Sequence, residues 1–187
     1  MGSPHRPFDP HSGLVLDTHE LGRGAGGMKR VSRAVEAPAG LGIEVIAVPP
    51  GSPIDLDLIL EAVVEGVLVT GSATVQLHGE CVRCLTEVSE EIEVDLQELY
   101  VYDDCDHDPD EDDEVSMLQD DLLDLEPLLR DAVVLALPFQ PLCTDDCPGL
   151  CPDCGVRLAD DPDHAHEAAI DPRWAALADL DTRTEQN

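Results

Sequence analysis

Seven cysteines and seven histidines are spread through 187 residues, and most of the cysteines fall at spacings that could hold a metal ion. Cys81-Val82-Arg83-Cys84 is one pair. Cys143, Cys147, Cys151 and Cys154 follow, with Gly155 directly after the last of them and His164-Ala165-His166 ten residues on. A C-x-x-C at a tight turn presents two thiolates to one tetrahedral ion. Gly155 suits the backbone just past such a turn, where φ must be positive. His164 and His166 occupy alternate positions, which in an extended segment point the same way. Eight soft or borderline ligands of this kind match Zn²⁺, as one or two structural ions. The expected partition is Cys151, Cys154, His164 and His166 in one site. Cys143 and Cys147 then join Cys81 and Cys84 in a second, and replacement of a histidine in the first site by Cys143 or Cys147 stays open.

Other cysteine chemistries fit less well. Cys147-x3-Cys151-x2-Cys154 is also the spacing of radical-SAM iron–sulfur enzymes, but those need a large α/β barrel that a short chain with a β meander does not supply. A thiol redox or metal-transfer role for Cys81 and Cys84 is the main alternative. It would want a strand-to-helix turn with the first cysteine at the helix N-terminus, whereas Glu87-Val88-Ser89-Glu90-Glu91-Ile92 reads as a strand. The surrounding acids are also expected to raise the thiol pKa. Cys105, inside an acidic run, reads as a bystander, and His5, His11, His19, His78 and His107 have no ligand spacing. With no Ser-His-Asp order, phosphate loop or G-x-G-x-x-G, the chemistry expected here is architectural. The chain reads as no enzyme, with no small-molecule substrate.

Composition narrows the partners. Ten Lys and Arg against 41 Asp and Glu leave a formal charge of −31, and the only aromatics are Phe8, Tyr100, Tyr102, Phe139 and Trp174. Such a chain has little with which to neutralise phosphates or stack bases, so a broad nucleic-acid-binding face is excluded. Its natural partner is cationic. Arg23, Lys29, Arg30 and Arg33 cluster near a glycine-rich stretch and are the candidates for a local contact with RNA. No stretch reads as a signal peptide or a membrane span, because Asp55, Asp57, Glu61 and Glu65 interrupt the longest apolar region. A cytoplasmic location and no membrane partner are expected.

The elements that must position these residues fall into four pieces. Residues 1–40 read as a flexible basic arm. Residues 41–102 alternate with period two: strands are expected at 43–48, from Ile54, over 67–69 and 73–78, and from Val88 to Tyr102, with a helix over 58–68 as an alternative for part of this. Residues 103–120 form an acidic loop, nine of the twelve residues from Asp103 to Glu114 being Asp or Glu. A helix over 121–137 follows, with Asp124 as N-cap and Pro127 in its first turn. The core domain thus spans 41–142. Residues 143–187 hold the metal loop and a last helix over 171–180 bearing Trp174, Leu177 and Leu180. The expected class is α+β: an antiparallel, curved or partly closed sheet with a few flanking helices and a C-terminal knuckle-like loop.

The order of features resembles the YceD family, the bacterial large ribosomal RNA subunit accumulation proteins. Matching pieces are Leu16-Asp17-Thr18-His19-Glu20-Leu21-Gly22-Arg23, Cys81-Val82-Arg83-Cys84-Leu85 and Leu137-Pro138-Phe139-Gln140-Pro141-Leu142-Cys143. Cys147 through Gly155 and Asp171-Pro172-Arg173 complete the set. Many relatives carry Cys-x-Cys where this chain has His164-Ala165-His166, an exchange that preserves zinc binding, and some lack the cluster. The resemblance implies a cytoplasmic factor for accumulation or assembly of the large ribosomal RNA. The charge adds an expected partner, a basic large-subunit ribosomal protein.

Overall fold

The computed structural model describes residues 12–102 and 116–166. Its centre is one long strand, β6 (Gly66–Glu80), fifteen residues long. On one edge β6 pairs along its whole length with β7 (Glu87–Val101). On the other it pairs first with β5 (Pro53–Ala62) and then with β4 (Ile46–Ala47). Strand β2 (Met28–Glu36) closes the β5 edge, and β3 (Gly42–Ile43) pairs with β4. Every pairing in this sheet is antiparallel.

Period-two alternation decides which face is buried. Ile54, Leu56, Leu58 and Leu60 on β5 face inward, as do Val67, Val69, Ala73, Val75 and Leu77 on β6 and Val94, Leu96 and Tyr100 on β7. The register puts these residues opposite one another, Leu56 beside Ala73 and Ala73 beside Val94. A one-residue slip would turn the whole apolar set to water, so the alternation itself fixes the pairing. The inner face is covered by helix α1 (Glu126–Ala136) and by a small ribbon of β1 (Val15–Asp17) with β8 (Leu122–Asp124). Leu125, Leu129, Val133 and Leu137, each four residues apart, are buried in the same core.

Several expectations change. The stretch read as a flexible arm contains β1, a 3-10 turn at His19–Leu21 and the nine-residue strand β2, while residues 1–11 lie outside the described ones. Strand β2 was hidden because only Val31 and Val35 are strongly apolar in Met28–Glu36. Its inner face instead uses cations: Arg33 donates to the carbonyls of Gly13 and Val15, and Lys29 pairs with Glu20 at 3.0 Å. The strand expected at 43–48 is the β3–β4 hairpin. The helical alternative for 58–68 gives way to strand, turn and strand.

The helix expected over 121–137 begins at Glu126, because residues 122–124 pair with β1. Asp124 is therefore not the N-cap, a position held by Leu125, yet its Oδ1 accepts the Glu126 N–H at 2.9 Å and does the work of a cap. One helix, rather than a few, stands among the described residues; the helix expected over 171–180 lies outside them, as do residues 103–115 and Cys105. The chain divides into two units, Met1–Asp145 and Asp146–Asn187.

Candidate metal centres

The hairpin joining β6 to β7 has its last strand pair at Glu80 and Glu87, which leaves Cys81–Thr86 as the loop. Its backbone folds around the first thiol. The Cys81 N–H donates to the Thr86 carbonyl at 2.8 Å, and the Leu85 N–H returns to the Cys81 carbonyl at 2.9 Å. To close that turn Leu85 takes φ of 59°, in the left-handed region. The Val82 N–H donates to the Pro141 carbonyl at 3.0 Å, and this pins the segment carrying Cys143 beside the hairpin. The sulfurs of Cys81, Cys84 and Cys143 lie within 4.8 Å of one another, Cys84 and Cys143 at 3.5 Å. Zinc–sulfur bonds of about 2.3 Å at tetrahedral angles place sulfurs about 3.8 Å apart, so three corners of such a site are already close to position. Cys147, four residues past Cys143 and buried, belongs to the second unit.

The second unit repeats the loop. The Cys151 N–H donates to the Val156 carbonyl at 2.8 Å and the Gly155 N–H to the Cys151 carbonyl at 2.8 Å. Gly155, with φ of 75°, stands where Leu85 stands in the first loop. Here the reading of Gly155 as the positive-φ residue holds. The ligands also converge: Cys154 Sγ is 3.2 Å from His164 Nε2 and 3.3 Å from His166 Nε2, and the two nitrogens are 2.9 Å apart. Cys151 completes the group within 4.8 Å. Behind it, Asp161 Oδ2 stands 3.5 Å from His164 Nδ1. A carboxylate on that side of the ring stands where the usual support of a metal-bound histidine is found.

The same amides that shape the loops stabilise thiolate. Burial pushes the Cys81 thiol up, but backbone N–H groups of Cys143, Arg83 and Cys84 outweigh it and bring the pKa down to about 6. For Cys151 the N–H groups of Cys154 and Asp153 lead, again to about 6. Cys84 is lowered by the Thr86 hydroxyl, 3.1 Å from its sulfur, and by the Thr86 N–H. The expectation that neighbouring acids would raise the Cys81 pKa is overturned, since donors in contact with the sulfur outweigh exposed carboxylates in water. Thiolate is the metal-binding form, so both donor sets fit a zinc ion. The redox alternative loses its scaffold: Cys81 opens a turn between two strands instead of a helix, and its side chain is fully buried.

Sequence reasoning missed the supporting residues Thr86, Pro141 and Asp161, although a threonine two residues after Cys84 and an aspartate three before His164 were visible. The four cations assigned to RNA contact are dispersed by the fold. Arg23 lies 3.4 Å from Asp121 and 4.9 Å from the centre of the Tyr102 ring, Lys29 and Arg33 serve the inner face of β2, and exposed Arg30 faces the opposite side. Thr18, His19, Gly22, Arg23, Tyr102 and Asp121 line a hollow of about 210 Å³, below the ~300 Å³ at which ligand pockets begin.

Leu85 offers a direct check on the first loop. A left-handed leucine costs roughly 1–2 kcal/mol, set against roughly 0.5–1 kcal/mol for the extra freedom of an unfolded glycine. Leu85→Gly is therefore expected to leave the melting temperature unchanged or raise it slightly, measured by calorimetry on zinc-loaded protein.

A family model described as "Large ribosomal RNA subunit accumulation protein YceD" matches residues 69–181. The chain is 48% identical over 170 residues to the uncharacterised protein Rv2926c of Mycobacterium tuberculosis, covering 90% of this chain and 82% of that one. It is 42% identical to the uncharacterised ML1660 of Mycobacterium leprae, over 90% of this chain and 78% of that one. With the uncharacterised YlbN of Bacillus subtilis it shares 30% identity over 103 residues, 54% of this chain and 58% of that one. No solved structure gives a significant match.

Proposed function

Since this chain belongs to the YceD family, whose name ties it to accumulation of the large ribosomal RNA, we propose that it serves that process as a non-enzymatic cytoplasmic factor that holds a basic large-subunit ribosomal protein. The observation that carries the partner is the outer face of the sheet. Asp55 and Glu93 flank Thr74 in one row, Asp57 and Asp95 flank Ser72 in the next, and Glu91 lies opposite Gln76. These five carboxylates are exposed. Ser72 and Gln76 donate to Glu93 and Glu91 at 2.8 and 2.6 Å and hold them in rows. Strands about 4.8 Å apart put the acids of β5 and β7 about 10 Å from each other, a spacing that extended Lys and Arg side chains can bridge. Most surface fields in this chain have the same sign, which favours fast capture of a cation-rich protein.

In this reading the knuckles are structural. Zn²⁺ occupies Cys151, Cys154, His164 and His166, and a second ion takes Cys81, Cys84, Cys143 and Cys147. The C-x3-C spacing from Cys143 supports the fourth ligand. RNA contact through Arg23, Lys29, Arg30 and Arg33 is the weaker half of the proposal, because the first, second and fourth already have intramolecular partners.

The test compares wild type with Asp55→Asn/Asp57→Asn/Glu93→Gln/Asp95→Asn in titrations against purified large-subunit ribosomal proteins. Loss of four facing charges should slow association about tenfold or more at 50 mM salt, with the difference shrinking as the Debye length falls to about 8 Å at 0.15 M. Equal binding by both proteins at low salt would remove the acidic face from the mechanism.

A further inference from the structure

The β6–β7 hairpin breaks two local rules at once, and the fold repays neither. Glu80 and Glu87 form its last strand pair and are both exposed, so two like charges stand directly opposite each other at the neck. Among the described residues no ion pair to either offsets them. At the tip, Leu85 holds the left-handed conformation that the sister loop gives to a glycine. Its side chain is 61% exposed and gains almost nothing from the core in return. Strain of this kind is informative when nothing inside the chain requires the residue that suffers it.

Other apolar groups share this end of the first unit. Val82, in the same loop, is exposed, and its N–H is bonded to Pro141. Two residues before Pro141, the Phe139 side chain is 99% exposed. Leu135, in the last turn of α1, is 85% exposed. A chain with only five aromatic residues in 187 thus leaves one of them wholly in water, two residues from the carbonyl that is bonded to the loop of the strained, exposed leucine. Apolar groups at the centre with charged groups at the edge is the anatomy of a protein-binding surface.

We propose that this knuckle end, with Val82, Leu85, Leu135 and Phe139 at its centre and Glu80 and Glu87 at its rim, docks a basic amphipathic segment of a partner protein. The occupant follows from complementarity. Apolar side chains on one side of the segment cover the centre, and its Lys or Arg residues lie between the two glutamates and relieve their repulsion. The proposal rests on the ribosomal-protein reading above and adds a place and a binding mode to it. The acidic sheet face draws the cationic partner in, and the knuckle end grips one segment of it. Zinc matters here because it fixes the loop that displays Val82 and Leu85.

The test uses the zinc-loaded full chain and two synthetic probes of equal charge, an amphipathic Lys/Leu peptide and a Lys/Ser peptide of the same length. Wild type is expected to bind the Lys/Leu peptide about tenfold or more tightly than the Lys/Ser one. Leu85→Gly/Phe139→Ser should abolish that preference without lowering the melting temperature, since neither side chain belongs to the core. Glu80→Gln/Glu87→Gln should weaken both peptides at low salt. If wild type shows no preference, or if the Leu85→Gly/Phe139→Ser variant keeps it, the docking surface is wrong. Running the same proteins against purified large-subunit ribosomal proteins separates the two ideas. A preference abolished by these changes, with no ribosomal protein bound, would uphold the surface and overturn the ribosomal-protein reading.

Discussion

Native mass spectrometry of untagged protein is expected to find two zinc ions per chain, and their removal is expected to be the largest single perturbation the fold can suffer. Structural zinc sites bind with roughly 10–16 kcal/mol, comparable to the whole stability of a domain. The two sites should part company under a chelator. Cys81 and Cys84 are buried, whereas Cys154 and His166 are exposed, so the ion between the histidines should leave first. His166→Ala should lower the content to one ion and leave the sheet melting nearly as before. Cys84→Ser should also cost one ion, but here the loop between β6 and β7 loses a buried anchor, and the melting temperature of the first unit should fall by about 10 °C or more. Hydrogen exchange would place that loss at Cys81–Thr86 and along the adjoining ends of β6 and β7. Zinc content below about 0.2 equivalents in wild type would sink the metal assignment altogether.

The two candidate clusters were legible because metal binding would impose just such spacing on the sequence. C-x-x-C fixes two sulfurs through four residues of chain, and Gly155 marks the turn that must follow. Partners from distant segments leave no such trace: the Val82–Pro141 bond and the approach of Cys143 to Cys84 depend on a hairpin fifty-odd residues away. Leu85 shows the opposite failure. Nothing in its type announces a positive φ, and only the hydrogen bonds of the closed loop force it there.

The sheet divides in the same way. Strands β5, β6 and β7 alternate cleanly because one face packs on the core and the other faces water, so residue type tracks direction. Strand β2 sits at the edge, where its inner face meets the carbonyls of Gly13 and Val15 and the Glu20 carboxylate. Arg33 and Lys29 satisfy those groups better than valine would. A strand that sets cations against backbone oxygens at the edge of the sheet looks, in sequence, like a basic arm. That resemblance in composition is what hid the strand.

Gly71→Ala is expected to be strongly destabilising. Gly71 lies in the middle of β6, between Leu58 of β5 and Leu96 of β7, with φ of 152°. A Cβ there would stand 2.8 Å from Leu58 Cα and closer still to the Asp57 carbonyl oxygen. Both are backbone atoms of a paired strand, so no side chain can swing away to make room. Relief requires β5 and β6 to separate, which would lengthen ladder hydrogen bonds and open the row where Leu58 and Leu96 are buried. Overpacking of a core costs about 1–3 kcal/mol when side chains can adjust, and here the backbone must move, so a loss of about 3 kcal/mol or more is expected. For a chain of this size that corresponds to a drop of about 6–12 °C in melting temperature. Serine, hardly larger than alanine, should do no better, because the clash lies at Cβ itself. The effect should also reach the outer face, since Asp57 and Asp95 occupy the same pairing rows beside Ser72. Weaker capture of basic protein by Gly71→Ala, at a temperature where it is still folded, would show that the carboxylate rows act through their spacing. Unchanged stability would mean that the strands part without cost at this point, and the close approach of β5 to β6 would then have no role in holding those rows.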